Sequence, residues 1–487
     1  MHRVHLRPRL GAALAAAALL MSSGATALAV ASPVVMPAFS DYTFVTASQT
    51  PPTEAACFAV ARRCFTPQGF WAAYNLGPLF AAGNDGRGMT VAIVDSYGSD
   101  TMAHDLHVFN TAFGLPSMCG EEGVTCAAGM PTFKTLSIQG SPATVQQPGK
   151  GTGQENKAAW SLEVALDVES VHTFAPRANI LLVTVPTAET LGVQGFPLMM
   201  NAEQYVVDHH LANVITQSFG SAEEAFSSTQ SLLNLRHAYI SAAANGVTVL
   251  ASSGDGGSAN IIKTPVAKGG TTVPFPTVGW PASDPLVTAV GGTYLCTDPN
   301  NTVARVVDSV DPPARCQANP GIAEVGWIAA GGGFSHVFSK PDYQDTLPAG
   351  STAIGSMRGV PDIASEASAT TGPLVYDTNA GLDGASNAGS GGWFIIGGTS
   401  VSSPQWAGMV AIADQIHGGG LGLINPTLYK IASHPADYAD DFFDVTTGNN
   451  QLDPSIPGYP ATVGWDPVTG LGTPNAASLL PDLAAGG

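Results

Sequence analysis

Four short apolar runs, separated by segments with helical patterning, constrain the fold of this chain more than any other feature. A run that is apolar throughout is typical of a strand buried on both faces, as in a parallel sheet. The alternation predicts an α/β fold with a mainly parallel central sheet flanked by helices. In such sheets the functional site lies at the carboxyl ends of the strands. The predicted strands are residues 89–95, 179–185, 213–218 and 247–252, and the predicted helices between them are 158–171, 198–209 and 227–245.

The amino-terminal residues have the pattern of a secretory signal peptide. Three arginines precede a short apolar run that ends in Ala-Val-Ala at residues 29–31. The alternative, a membrane anchor, fits less well because the run is short and ends in a cleavage-type sequence. We therefore predict that residues 1–31 are removed and that the protein is secreted, with no membrane association afterwards.

The rest of the chain is predicted to form one large body, residues 70–487, preceded by a short leader or arm, residues 32–69. The arm is rich in Pro, Ala and Thr and has no clear periodicity. A hydrophobic share of 45% excludes disorder. The net charge of −19 argues against nucleic acid and anionic membranes as partners.

The six cysteines lie in three close pairs along the sequence. Secretion makes disulfides the expected state, and six cysteines allow 15 pairings. Proximity favours the three local ones, and a catalytic thiol is disfavoured because no cysteine stands alone. The expected bonds are Cys57–Cys64, Cys119–Cys126 and Cys296–Cys316.

The segment GGWFIIGGTSVSSPQWAG, residues 391–408, predicts an apolar strand, a glycine turn and a helix that begins near Ser400. Pro404 is expected in the first helical turn, where a missing N–H costs nothing. A hydroxyl at a helix N-terminus is well placed for developing negative charge. This pattern suits the nucleophile of a serine peptidase, which needs a base.

No histidine has a sequence context that suits this base. A helix-end or surface position is the simpler interpretation for each candidate. A subtilisin-type enzyme that uses histidine stays open as an alternative. The histidines considered are His104, His107, His172, His209 and His210.

Carboxylates are the stronger candidates for the base. Glu163 and Asp167 are four residues apart, so they share one face of a predicted helix whose other residues are mostly apolar. Burial and like charge together raise the pKa of at least one of them. Glu169 lies off that face and is expected to be solvated. Asp95, at the end of a predicted strand, is a possible supporting group, and Asp255 follows another strand among glycines.

These segments together resemble the sedolisin family of serine-carboxyl peptidases. The match includes GTSVSSP at 398–404 for the nucleophile, the Glu-x-x-x-Asp helix, and SGD at 253–255 for the oxyanion hole. The resemblance covers roughly residues 70–475 and implies a subtilisin-like α/β fold. It also implies that a glutamate takes the role of the histidine. Three further stretches match at 280–293, 331–344 and 358–364.

The resemblance implies a mechanism that operates in acid on protein or peptide substrates. Glu163 would accept the proton of Ser400 and return it to the leaving amine, and Asp167 would hydrogen-bond Glu163. A protonated Asp255 and the Ser400 backbone N–H would stabilise the oxyanion. Activity should therefore fall as Asp255 ionises.

One structural Ca²⁺ near the C-terminus is a further implication of the resemblance. Oxygen ligands of this kind suit a hard cation. The positions that match are the carboxylates of Asp444 and Asp466 and the backbone carbonyls of Val445, Thr462 and Gly464.

Two alternatives remain beside the expected endopeptidase. A tripeptidyl aminopeptidase of the same family uses the same groups, and an inactive secreted binding protein could keep the fold without the activity. The family usually carries a long propeptide, whereas here about 30 to 40 residues separate the predicted signal from the body, by count along the chain. We expect a monomer.

Overall fold

The computed structural model describes residues 36, 37, 39–138, 154–186, 195–263, 271–303, 305–308, 313–379 and 391–486. All described residues belong to one compact unit. The predicted signal peptide, residues 1–31, lies outside the described residues.

The described parts of the chain contain thirteen α-helices. They are α1 (Glu54–Ala59), α2 (Pro67–Ala73), α3 (Gly77–Ala81), α4 (Met102–Phe113), α5 (Gln154–Phe174), α6 (Gly195–Asp208), α7 (Thr229–Leu233), α8 (His237–Ala244), α9 (Ala314–Ala318), α10 (Thr399–His417), α11 (Asn425–Ala432), α12 (Pro435–Asp441) and α13 (Ala476–Ala485).

The same ranges contain twenty strands, several of them only two residues long. They are β1 (Met36–Pro37), β2 (Phe39–Thr46), β3 (Thr90–Ser96), β4 (Phe133–Ser137), β5 (Asn179–Val185), β6 (Val214–Gln217), β7 (Phe219–Ala222), β8 (Thr248–Ser252), β9 (Ile261–Lys263), β10 (Thr271–Thr272), β11 (Gly279–Trp280), β12 (Thr288–Leu295), β13 (Glu324–Gly326), β14 (Gly333–Ser339), β15 (Met357–Val360), β16 (Ile363–Glu366), β17 (Leu374–Asp377), β18 (Gly392–Gly398), β19 (Phe442–Phe443) and β20 (Thr473–Pro474).

A central parallel sheet organises the molecule, which confirms the predicted fold class. Its parallel strands lie in the order β16, β12, β8, β6, β3, β5, β4, and β13 pairs antiparallel with the end of β12. All four predicted strands are present, as β3, β5, β6 and β8. Each shifts from its predicted bounds by one residue at most.

Successive residues of β3 show why its sequence is apolar throughout. Val91 and Ile93 pack into a core with α5 and α10, whereas Ala92 and Val94 pack into a second core with α6 and α8. Because side chains alternate across a strand, helices on both faces require apolar residues at every position.

The predicted helix 227–245 is two helices, α7 and α8, and the prediction of one continuous helix was wrong. At the break, the N–H groups of Leu235 and Arg236 bond to the carbonyls of Leu232 and Leu233. These are i−3 bonds rather than the i−4 bonds of an α-helix, so the chain tightens and then resumes as α8. The predicted helix 158–171 is part of α5, and the predicted helix 198–209 corresponds to α6, which ends one residue earlier.

The segment expected as a leader or arm runs along the body in the residues described. Strand β2 pairs antiparallel with β18, and Phe39 lies opposite Gly398. Strand β1 pairs antiparallel with β7, and Pro37 lies opposite Phe219. The arm therefore supplies strands to two sheets of the body.

All three predicted local disulfides are present. Cys57 bonds Cys64, and Cys119 bonds Cys126. The third bond joins Cys296 to Cys316. Among the residues described, no helix combines the length and the apolar character that a membrane crossing would require.

The close approach of α5 and α10 brings the predicted carboxyl pair on α5 near the predicted nucleophile on α10. Gly408 makes this approach possible, because a Cβ there would lie 2.7 Å from Cβ of Phe174 and 3.2 Å from the carbonyl oxygen of Val171. Real Cβ atoms essentially never show contacts under 3.0 Å, such as the one to Phe174, and the contact to Val171 is also tighter than most. A side chain at Gly408 would therefore force α10 away from α5.

We predict that Gly408→Ala lowers the free energy of unfolding by about 1–3 kcal/mol, because the added methyl group overpacks the α5–α10 contact. Chemical denaturation measures this value. Gly355→Ala is the matched control, because Gly355 has open space around its Cβ position. Equal stability of the two variants would contradict the packing argument.

Candidate active site

Ser400 lies in the first turn of α10, directly after the buried strand β18. The N-cap residue Gly398 has a φ of 147°, which favours glycine. A side chain at Gly397 would lie 1.9 Å from the backbone nitrogen of Ala369. N–H groups in the first helical turn lack intrahelical partners, so the Ser400 N–H can donate to a ligand.

Helix α10 is anchored at several buried points beyond its first turn. The hydroxyl groups of Ser403 and Thr216 lie 2.8 Å apart. The indole N–H of Trp406 donates to the carbonyl of Ala364 at 2.9 Å. Pro404 lies in the second turn and not in the first as expected, because α10 begins at Thr399.

Glu163 and Asp167 lie on α5, and both are fully buried. Burial raises the pKa of Glu163 well above its ordinary value, the charge of Asp95 raises it further, and the Ser400 hydroxyl lowers it. Neither Glu163 oxygen has a hydrogen-bond partner of good geometry among the described residues, yet Ser400 is near enough to act on the carboxyl. The predicted base and nucleophile are therefore neighbours.

The structure shows no direct hydrogen bond between Glu163 and Asp167 among the described residues. Instead, the hydroxyl of Ser218 donates to Asp167 Oδ1 at 2.9 Å. Burial raises the pKa of Asp167 well above its ordinary value, and the charges of Asp95 and Glu163 add to the effect. The two carboxyl groups thus interact through their charges, so they titrate as a pair.

Asp95 lies at the end of β3, and its carboxyl group is fully buried. Neither of its oxygens has a hydrogen-bond partner among the described residues. Burial raises the pKa of Asp95 to about 8. Since its charge raises the pKa of both α5 carboxyl groups, Asp95 acts on the pair as the sequence suggested.

Asp255 is tied to the start of α10 through Thr399. Asp255 Oδ1 accepts the backbone N–H of Thr399 at 2.7 Å and its hydroxyl at 2.9 Å. The N–H of Gly254 donates to the same hydroxyl oxygen at 3.0 Å. This network fixes the loop after β8 next to the residue that precedes Ser400.

Glu169 is buried, so the expectation that it is solvated was wrong. Its Oε2 accepts the backbone N–H of Tyr376 on β17 at 3.0 Å. Every residue of α5 from Trp160 to Phe174 is buried, because the helix has protein on all sides. No face of this part of the helix meets water.

The histidines considered in the sequence bond elsewhere where the structure gives them partners. His172 is fully buried, but its Nε2 pairs with the carbonyl of Pro116, and burial lowers its pKa to about 4. His104 pairs with Glu122 on the surface. None of these contacts involves Ser400.

Sequence reasoning placed Ser218 in a loop for substrate specificity and Thr399 in the nucleophile motif, but it gave neither a hydrogen bond to the carboxyl groups of the site. Ser218 follows β6, so it sits at the carboxyl end of a central strand, where functional groups are expected. Thr399 stands inside the nucleophile motif, and its contact with Asp255 depends on a loop 144 residues away in sequence. The role of Ser218 could have been found from its position after a strand. The contact of Thr399 with Asp255 could not, because it depends on tertiary structure.

The predicted metal ligands lie in two loops that contact each other. Gly464 N–H donates to Asp444 Oδ2 at 3.0 Å, and Thr462 N–H donates to Asp466 Oδ2 at 2.9 Å. Asp444 Oδ1 is buried and has no hydrogen-bond partner of good geometry among the described residues, although the Tyr438 hydroxyl is near enough to oppose the rise that burial gives to the pKa of Asp444. The carbonyl oxygens of Val445, Thr462 and Gly464 accept no backbone hydrogen bond from those residues.

This donor set fits a hard cation, because it offers an orphaned carboxylate oxygen together with backbone carbonyls whose lone pairs are unused. Within the described ranges, no group of three or more His, Cys, Asp or Glu side chains is arranged to hold a metal. Any cation here would therefore depend on backbone carbonyls for most of its ligands.

The geometry combines a hydroxyl at a helix N-terminus, a buried carboxyl pair beside it, and a third carboxyl linked to the same helix start. A hydroxyl beside a group that can take its proton is the arrangement of an activated nucleophile. A backbone N–H and a protonated carboxyl nearby can donate to a developing oxyanion. The site can therefore perform acyl transfer.

Comparison with known proteins gives relatives of one kind. Kumamolisin of Bacillus sp. (strain MN-32) is 30% identical over 435 residues, which are 88% of this chain and 65% of kumamolisin. Sedolisin of Pseudomonas sp. (strain 101) is 29% identical over 400 residues, which are 82% of this chain and 58% of that protein. Tripeptidyl-peptidase 1 of Homo sapiens is 29% identical over 352 residues, 68% of this chain and 53% of that protein.

The solved structure of Pseudomonas sedolisin, a serine-carboxyl proteinase complexed with pseudo-iodotyrostatin, has a similar fold. Its TM-score is 0.63 at 26% identity, and the match covers 87% of this chain and 99% of that chain. No protein-family model matches the chain. The chain spans between about half and two thirds of the length of these curated relatives.

Buried carboxyl groups also occur away from Ser400. Glu203 on α6 is fully buried next to Tyr239, and its two oxygens have no hydrogen-bond partner among the described residues. Burial raises the pKa of Glu203 well above its ordinary value. The folded state therefore holds this proton at pH values where the unfolded chain has lost it. The resulting stability is complete below the unfolded pKa and is lost as the pH rises through the folded pKa.

We predict that Glu203→Gln reduces the loss of stability between pH 4 and pH 7, because glutamine does not titrate. The free energy of unfolding should depend less steeply on pH, by up to about 1.4 kcal/mol per pH unit. Denaturant titrations at several pH values measure this slope. Asp208→Asn, an exposed position on the same helix, should leave the slope unchanged, and a similar slope in wild type and Glu203→Gln would refute the argument.

Proposed function

The chain belongs to the sedolisin family, and from this premise we propose that it is a secreted, acid-active serine-carboxyl endopeptidase. The observation that carries the proposal is the proximity of Ser400, at the N-terminus of α10, to the fully buried Glu163 on α5. A fold alone would not imply activity. An inactive binding protein would have no need to bury a carboxyl pair beside this hydroxyl, at a high cost in desolvation.

Glu163 acts as the general base and then as the general acid. It takes the proton of Ser400 as the oxygen attacks the scissile carbonyl, and it gives the proton to the leaving amine. Water then hydrolyses the acyl-enzyme by the same route. Burial and the charge of Asp95 keep the pKa of Glu163 high, which suits a base that must return its proton.

Asp255 acts as an oxyanion donor in its protonated form. Its Oδ1 accepts two hydrogen bonds from Thr399, so the proton belongs on Oδ2. The Ser400 N–H is the second donor. Once Asp255 ionises, its negative charge would oppose the oxyanion, and activity should fall.

An endopeptidase is favoured over the tripeptidyl aminopeptidase by the path of the arm. β7 begins directly after Ser218, which bonds Asp167, so the edge of β7 borders the site. β1 pairs with this edge at Met36 and Pro37. Met36 and Pro37 thus lie as an extended strand along the edge that borders the site, which supports a cleft open to a continuing chain.

We expect Ser400→Ala and Glu163→Gln each to lower kcat at least about a thousandfold on a peptide blocked at both ends, because each removes one half of the proton-transfer pair. Asp255→Ala should cost about 10²–10³-fold. The double variant Ser400→Ala/Glu163→Gln should be no worse than either single one. Initial-rate kinetics in acid measure these effects.

Ser402→Ala is the control for these variants, because Ser402 is equally buried on α10 but is outside the proposed machinery. The pH profile isolates Asp255: in Asp255→Asn the donor no longer titrates, so the activity that remains should persist to higher pH. A neutral optimum in the wild type would overturn the role of Asp255. Full activity of Glu163→Gln would overturn the role of the base.

A single Ca²⁺ is proposed to bind the two C-terminal loops. Asp444, Asp466 and the carbonyls of Val445, Thr462 and Gly464 would hold it, and the orphaned Asp444 Oδ1 supports this assignment. The ion would cross-link the loop 444–445 to the loop 462–466. Its contribution is to stability and not to a chemical step.

Chelation is expected to lower the melting temperature, because a ligand that binds only the folded state stabilises it by mass action, about 2.7 kcal/mol when present at a hundred times its Kd. Differential scanning calorimetry with and without a chelator measures the shift. Asp444→Asn should remove the effect of the chelator, and Asp437→Asn, an exposed site on α12, should retain it. A chelator effect that persists in Asp444→Asn would refute this site.

A further inference from the structure

One polar side chain stands among apolar ones on the side of β6 that faces α6 and α8. Ile215 and Phe219 pack into the core formed with these two helices. Gln217 lies between them in the sequence, and because side chains alternate along an extended chain, it lies on the same side. It is fully buried. A buried amide costs free energy unless it is hydrogen-bonded, so its contacts show what it does there.

Gln217 is held through its side chain and through its backbone. The hydroxyl of Tyr239 on α8 donates to Gln217 Oε1 at 2.8 Å. The hydroxyl of Ser252, at the end of β8, donates to the carbonyl oxygen of Gln217 at 3.2 Å. Both hydrogen bonds are buried, which strengthens them. The last residue of β6 is therefore fixed at two points.

Tyr239 is well placed to act as a constant donor. Its ring is fully buried, and its centroid lies 5.7 Å from that of Trp280. Burial raises the pKa of Tyr239 well above its ordinary value, and the charges of Glu203 and Asp284 raise it further. The hydroxyl therefore keeps its proton and donates to Gln217 throughout the acid range in which the peptidase is proposed to work.

The next residue in the chain, Ser218, contacts the carboxyl pair on α5. Its hydroxyl donates to Asp167 Oδ1 at 2.9 Å and is near enough to lower the pKa of Glu163 as well. Ser218 thus opposes, at both carboxyl groups, the rise in pKa that burial causes. This effect requires that its hydroxyl stay directed at the pair, and Gln217 anchors the backbone directly before it.

We propose that Gln217 and Tyr239 are positioning residues, which fix the backbone of Ser218 and so keep its hydroxyl on the carboxyl pair. The inference rests on the proposed peptidase function. The path runs from the Tyr239 hydroxyl to the Gln217 amide, along one peptide unit to Ser218, and from its hydroxyl to Asp167. This path explains why a core position between Ile215 and Phe219 holds an amide.

Loss of the Tyr239 bond should move the pH profile in one direction. Without a fixed Ser218, the ionised carboxyl pair loses a hydrogen bond, so the pKa of Glu163 rises. Asp95 and Asp255 also face Glu163 and raise its pKa by their charges, but the substitution leaves both in place. Glu163 then ionises at a higher pH. The acid limb of kcat/KM, which reports the free enzyme, therefore moves to higher pH.

The experiment compares Tyr239→Phe with wild type over the acid range, on the peptide blocked at both ends. The acid limb should move up by at most about one pH unit, the effect of weakening one hydrogen bond of ordinary strength. Tyr429→Phe is the matched control, because the Tyr429 hydroxyl is also buried and donates to Asp362 at 3.0 Å, outside the proposed machinery. An unshifted limb in Tyr239→Phe, or an equal shift in Tyr429→Phe, would overturn the inference.

A first double variant tests the path. Tyr239→Phe/Ser218→Ala should have the acid limb of Ser218→Ala alone, because the tyrosine acts through the Ser218 hydroxyl. Shifts that add in the double variant would overturn this path.

A second double variant separates positioning from stability. Tyr239→Phe/Gln217→Met removes both partners of the buried bond, so no polar atom of the pair is left without a partner. Its melting temperature should be closer to that of wild type than the melting temperature of Tyr239→Phe is, while the acid limb stays shifted. A limb that returns to its wild-type position together with the melting temperature would refute the positioning role.

The outcomes also separate this inference from the proposed function. Cleavage of the blocked peptide by wild type, with the same acid limb in Tyr239→Phe, would refute the positioning role and leave the peptidase assignment intact. Wild type that cleaves the peptide at no pH would refute the peptidase assignment itself and this inference with it.

Discussion

Helix α5 carries Glu163 and Asp167 on a surface from which packing against α10 excludes water. Ionised carboxylates at such a position would lose their hydration without gaining a cation in return, so the folded state favours their protonated forms. The high pKa of Glu163 follows from this burial. The same contact sets the distance from Glu163 to Ser400, because Gly408 lets the two helix backbones approach until a methyl group would no longer fit. The contact between α5 and α10 therefore both raises the pKa of Glu163 and places Glu163 beside Ser400.

The carboxyl ends of three central strands supply further polar groups to the site. Asp95 ends β3, Ser218 follows β6 and Asp255 follows β8, and these three strands are neighbours in the sheet. Parallel strands bring their carboxyl ends to one edge, so groups far apart in sequence meet there. Thr399 then links Asp255 to α10 through two hydrogen bonds. The sheet fixes the positions of these groups, and the packing of α5 against α10 excludes water from them.

Much of this arrangement could be predicted from the sequence because its signals are local. Apolar runs define β3, β5, β6 and β8, and the i, i+4 spacing puts Glu163 and Asp167 on one face. Other predictions were wrong because they concern residues whose environment is not visible in a local sequence pattern. Glu169 lies off the face of Glu163 and Asp167, and it is buried by segments distant in sequence, such as β17, whose Tyr376 N–H donates to it. The break between α7 and α8 lies in a stretch without Gly or Pro, so helical periodicity alone gave no warning of it.

Buried carboxyl groups also occur far from the site, and their protonation makes the stability of the fold depend on pH. Burial raises the pKa of Asp414, near the end of α10, to about 7, and it raises the pKa of Glu203 on the far side of the sheet. Each such group favours the folded state most where it is protonated, which is in acid. A protonated Asp255 requires acid for a separate reason, since only that form can donate to an oxyanion. Acid therefore favours both the folded state and the donor form of Asp255, whereas the transfer of the Ser400 proton needs the ionised form of Glu163, so the proposed mechanism has a lower as well as an upper pH limit.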